Sequence, residues 1–148
     1  MTTSAARPQA AAGPAPPEWL QTVLSDTSPD GELAVFDQPS PVSAARVFVA
    51  TVLTQWQVTD SVYDAQLVVT ELITNAMRHG GGAASLALVL RGTHVGCAVS
   101  DHSTAPPVPT TPDYFAEYGR GMHLIQALSI CWGWYPMTHG KRVWAVLR

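Results

Sequence analysis

Glu71 and Asn75 stand four residues apart in the stretch 70-TELITNAMRHGGG-82, where Leu72, Ile73 and Ala76 supply apolar surface at helical spacing. Residues i and i+4 of a helix project from the same side, about 6 Å apart along the axis. A carboxylate and an amide oxygen placed that way can share one ligand shell. Hard oxygen donors suit Mg2+, which keeps several waters and takes one or two protein ligands alongside phosphates. A carboxylate outside the metal shell can instead accept a proton from water or a hydroxyl. A solvated helix face, with Arg78 as a salt-bridge partner, accounts for the same residues.

Two further windows carry polar chemistry. Gly119-Arg120-Gly121 leads into an amphipathic stretch, 119-GRGMHLIQALSI-130. The amides and positive dipole end of a helix start can cradle phosphate, and glycine lets a ligand approach the backbone. An ordinary loop–helix junction has the same residues. Asp101 closes the β-rich run 94-HVGCAVSD-101 and precedes a loop. A carboxylate there can accept a hydrogen bond from an exocyclic amine such as adenine N6, or simply cap the loop. Histidines 79, 94, 102, 123 and 139 show no ligand spacing, so zinc is not expected.

The elements that must hold these groups are legible along the chain. It has 148 residues, 47% hydrophobic and 13% charged, enough for one domain with a core. A formal net charge of -3 argues against bulk attraction to nucleic acid or an anionic membrane. No apolar run approaches the roughly 20 residues of a membrane span, the N-terminus lacks a signal-peptide core, and a cytoplasmic protein is expected. Residues 1–30 are rich in Ala, Pro, Ser and Thr and read as a disordered tail, with Trp19, Leu20, Val23 and Leu24 as residues that could dock. Residues 31–148 read as the folded domain. A strand is predicted over 32–38, a helix from Pro41 to Trp56, and a second helix over 61–78 capped by Thr59 or Asp60. The glycines at 80–82 stop it. A hairpin over 84–101, a proline-rich loop over 102–118, a helix over 119–130 and a second hairpin turning at His139-Gly140 follow. The predicted fold is an α/β two-layer sandwich: a mostly antiparallel mixed sheet with helices on one face. Cys97 and Cys131 stand without CxxC or Cys/His spacing and read as two buried thiols, with a disulfide or metal pair as the alternative.

Taken together, a helical Glu-x-x-x-Asn, a strand ending in Asp, a proline-rich loop and a Gly-x-Gly helix start resemble the GHKL, or histidine kinase-like, ATPase superfamily. The single short domain, ELITNAMRHG and the C-terminal VWAVL resemble its bacterial anti-sigma-factor serine/threonine kinase branch over about residues 33–148. The resemblance implies the Bergerat-type ATP-binding fold, with ATP and Mg2+ as cofactors. It implies Glu71 as general base and Asn75 as Mg2+ ligand, with Arg78 and His79 at the phosphate end. Asp101 would read adenine, residues 103–118 would form a short lid beginning at Ser103, and Gly119, Arg120, Gly121 and Met122 would meet the nucleotide. The implied partners are an anti-anti-sigma protein as phosphorylation substrate and a sigma factor as binding target, with no direct nucleic-acid contact and no membrane; a homodimer is left open.

Two departures stand out. The family often carries Asp-x-Gly-x-Gly after the second hairpin strand, and here it is Asp101-His102-Ser103-Thr104-Ala105. It commonly carries a Thr in the last hairpin that helps the Asp hold adenine, and 140-GKRVW-144 offers Lys141 and Arg142 instead. The competing functional reading is therefore a regulatory partner-binding module that binds ATP weakly or not at all.

Overall fold

The computed structural model describes residues 15–25, 31–105 and 117–148, and for residues 117–122 it describes the backbone only. β2 (Ala83–Arg91) and β3 (His94–Asp101) form the first hairpin. Gly92 turns it with φ 62°, in the left-handed region that favours glycine. β1 (Glu32–Asp37) adds to β2, while β5 (Gly140–Leu147) adds to β3 and carries β4 (Ser129–Met137) at the far edge. The order is β1-β2-β3-β5-β4, and each of these neighbours pairs antiparallel.

Three helices cover one face: α2 (Val42–Gln55), α3 (Val62–His79) and α4 (Glu117–Leu128). Strand alternation decides which side chains meet them. Val95, Cys97 and Val99 of β3 and Val143, Ala145 and Leu147 of β5 join Val49, Leu53, Val69, Ile73 and Ile125 in one core. α3 packs against α2, α4 and β3, so it is the central helix of the layer. The predicted two-layer α/β class agrees with this architecture, with the described sheet wholly antiparallel.

The second face of the sheet departs from expectation. Residues 18–24, the part of the expected disordered tail whose apolar residues could dock, form α1 (Glu18–Leu24) and do dock there; residues 1–14 and 26–30 lie outside the described residues. Leu20 and Val23 pack on Ala87, Val89, Ala98, Trp144 and Val146. The reason is that the outward-facing positions of β2, β3 and β5 are apolar too, and leaving them in water costs about 25 cal/mol per Å2. Leu20 has no exposed surface. Leu20→Ala is expected to lower stability by about 2–5 kcal/mol, the scale for a buried leucine, in urea unfolding; a change below about 0.5 kcal/mol would show that α1 does not hold to the sheet.

The start of α3 also differs. Thr59 and Asp60, expected as caps, lie in a 3-10 turn over Thr59–Ser61, and Ser61 precedes the helix without a side-chain cap bond. Ser61 N donates to Val58 O at 3.1 Å, so the chain enters the helix through backbone bonding.

Cys97 and Cys131 are free thiols, the first buried in the core and the second half-buried on the α1 side. Burial pushes the Cys97 thiol up from 9.0 to about 12 and raises that of Cys131 as well. A thiol reagent at pH 8 is expected to label Cys131 in the native protein and Cys97 only on unfolding, which mass spectrometry of the labelled peptides checks. Among the described residues, no helix is long and apolar enough to cross a membrane.

Candidate functional site

At 100° per residue, Glu71, Asn75, Arg78 and His79 fall within about 100° of the circumference of α3. Asn75 is the one polar residue among those that α3 buries, at 9% exposure. Glu71 and His79 are half-buried and Arg78 is exposed. An amide set at the boundary of the core, one turn from a carboxylate, differs from the freely solvated face that the sequence also allowed.

The glycines after α3 bring a second element to the end of the helix. Gly80 N and Gly82 N both donate to Ala76 O, at 2.8 and 2.9 Å, which closes the helix end. Gly81 takes φ 73° and Gly82 φ 103°, conformations that side chains resist. Gly80 itself is needed for space: a Cβ there would stand 2.5 Å from both Cγ and Oδ2 of Asp101. The Asp101 carboxyl therefore lies directly on the backbone at the end of α3, and His102 N fixes the contact by donating to Gly80 O at 2.9 Å.

Asp101 sits on the helix-covered face because it continues the alternation Val95, Cys97, Val99. Lys141 continues the alternation of Val143, Ala145 and Leu147 in β5, and the register sets it opposite Asp101. Lys141 Nζ meets Asp101 Oδ2 at 2.7 Å, with the side chains only 2% and 3% exposed. The other oxygen, Oδ1, accepts the Ser103 amide at 2.9 Å, and the Ser103 hydroxyl accepts the Ala105 amide at 3.1 Å. Arg142 belongs to the opposite parity, and its guanidinium donates to Tyr135 Oη at 3.1 Å.

The candidate residues thus divide. Asn75, Arg78 and His79 lie in the last turns of α3 and Asp101 and Ser103 at its C-terminal end, while Glu71 sits near the middle of the helix, about two turns earlier. Gly119, Arg120, Gly121 and Met122 belong to α4, which begins two residues earlier than expected, at Glu117, and packs on α3. Gly119 and Arg120 fall in its first turn, where backbone amides lack helical partners; side chains 117–122 and residues 106–116, most of the expected lid, lie outside the described residues. A cavity of about 460 Å3, bounded by Gln38, Pro39, Ser40, Met77, Gly81 and His102 among others, opens beside the same helix end but includes neither Asn75 nor Asp101. It lies on the Met77 side of α3, away from the candidate face. Sequence reasoning marked Lys141 as a departure without pairing it to Asp101. Both faces of β5 are apolar, so strand alternation offers no signal for this pairing; the β3–β5 register creates it.

A family model for the histidine kinase-like ATPase domain matches residues 36–143, more than half of the chain, from β1 through α3 and Asp101 to β5. The chain belongs to this family. No curated protein matches it. Domains of this family bind ATP, typically with Mg2+, and the donor set can be tested against those ligands. The α3 end fits: Asn75 offers a hard amide oxygen at the edge of the core, and Glu71 a carboxylate one turn away. The base end does not fit in this arrangement, because the Asp101 side chain is only 3% exposed and its Oδ2 faces a buried ammonium.

Proposed function

We propose that this domain is a cytoplasmic regulatory serine/threonine kinase of the anti-sigma type. Its substrate is an anti-anti-sigma protein, and it also binds a sigma factor. The observation that carries this reading is the buried amide of Asn75 one turn from the Glu71 carboxylate on α3, with Asp101 packed on Gly80 at the end of the same helix. In the reaction class that the family implies, ATP supplies the γ-phosphoryl group and Mg2+ offsets the phosphate charge. Asn75 would hold the metal, and the first-turn amides of α4 would meet phosphate oxygens. Glu71 would take the proton of the acceptor serine hydroxyl as that oxygen bonds to the γ-phosphorus and the phosphorus–oxygen bond to the departing ADP breaks. Phosphorylation of the antagonist releases it and frees the domain for the sigma factor.

The test is the metal dependence of nucleotide binding. Mg2+ is expected to strengthen ATP binding in the unmodified chain and in His79→Ala, and to do so far less in Asn75→Ala, because an amide oxygen is a direct ligand for Mg2+ and imidazole a poor one. Equal Mg2+ enhancement in wild type and Asn75→Ala sinks the assignment. A second reading, a regulatory module that binds its partner without catalysis, is favoured by the Asp101–Lys141 pair. That module would bind the sigma factor equally well with and without ATP.

A further inference from the structure

The Asp101–Lys141 pair has no role in the transfer chemistry above, yet it occupies the carboxylate that a base-reading site would need. The pair is built into the sheet. Strand parity turns both side chains toward α3, and the β3–β5 register sets them face to face. Backbone closes one side of the carboxylate: Gly80 lies against Asp101 Cγ and Oδ2. Ser103 holds Oδ1.

A lysine ammonium and the exocyclic amine of adenine make the same demand on a carboxylate, since both donate N–H. They do not compete as equals. The ammonium is charged, so its hydrogen bond to the carboxylate is the stronger kind, and it is tethered by the chain. Displacing it leaves a charge with 2% side-chain exposure without its counter-ion. A neutral amine arriving from solution cannot compensate for that.

We propose that Lys141 holds Asp101 in place of a nucleotide amine, so that this site does not select adenine. Resting on the nucleotide-site reading above, the inference makes the ligand class a metal-bound polyphosphate, held at α3 and α4 whatever base it carries. Lys141 is the residue that sets this specificity.

The experiment is calorimetric titration of the full chain with MgATP, MgGTP and magnesium tripolyphosphate. Wild type is expected to bind MgATP and MgGTP within threefold of each other, and a tenfold preference for MgATP overturns the proposal. Lys141→Thr empties Oδ2 and removes the alkyl stem, and this variant is expected to prefer MgATP over MgGTP by tenfold or more. Its failure to discriminate while folded, judged by circular dichroism, also overturns the proposal. Should none of the three ligands bind wild type, the nucleotide reading fails for this chain, while ATP-selective binding by Lys141→Thr still upholds the role of the lysine. The wild-type protein gives a measurement independent of any variant: the 15N-resolved Lys141 ammonium signal. It is expected to be unchanged by saturating MgATP. Its loss or shift with MgATP, but not with magnesium tripolyphosphate, would show the amine displacing it and refute the proposal.

Discussion

Lys141→Ala is expected to cost about 3–5 kcal/mol of folding stability, the scale for removing one partner of a buried ion pair. The loss comes from what stays behind. Asp101 is 6% exposed, so its carboxylate has little access to water when the ammonium is gone, and Ser103 N alone cannot offset the charge. Replacing both partners behaves differently. Asp101→Asn with Lys141→Met removes the desolvation cost together with the attraction, and the double variant is expected to recover most of the loss. Urea unfolding of the four proteins in the cycle gives the coupling directly. Because the pair is shielded from ions, the single-variant loss is expected to persist at 1 M salt, where an exposed pair would have been screened. A loss below about 0.5 kcal/mol for Lys141→Ala would show that the two groups are solvated and do not hold each other.

Glu71→Ala is expected to lower phosphoryl transfer to a serine-bearing anti-anti-sigma protein by about 100-fold or more, the scale of a lost general base. Nucleotide binding is expected to change little, because a base acts on the proton as it leaves, in the transition state and not in the ground state. Glu71→Gln sharpens the comparison. It keeps the shape and hydrogen-bonding capacity of the side chain but accepts no proton, so it should be nearly as slow as Glu71→Ala. Transfer retained within threefold in either variant would remove Glu71 from the mechanism. A variant that no longer folds would make the residue structural instead, and the half-buried position of Glu71 on a helix otherwise held by Val68, Val69, Leu72 and Ile73 argues against that outcome.

The layer that positions the site was legible because its periodicities are strong. Val49, Leu53, Val69 and Ile73 announce helices, and the alternating residues of β2, β3 and β5 announce strands. The candidate face of α3 was legible for the same reason, since spacing alone sets Glu71 and Asn75 on one side. Other features were not visible at that level. Leu20 and Val23 look minor in an Ala/Pro-rich segment until the second face of the sheet is seen to be apolar. The pairing of Asp101 with Lys141 joins residues forty apart, and only the register of two strands that are not sequence neighbours creates it. Short polar motifs name the residues that could read a ligand. They do not show which of them the protein has already satisfied from within, and Asp101 is such a residue.

Titration of the full chain with ATP in Mg2+ and again in EDTA asks most directly whether α3 carries a metal–phosphate site. Binding that weakens at least tenfold in EDTA is the expected result, since Asn75 acts on the phosphates through the metal. Binding of equal strength in the two buffers would contradict it.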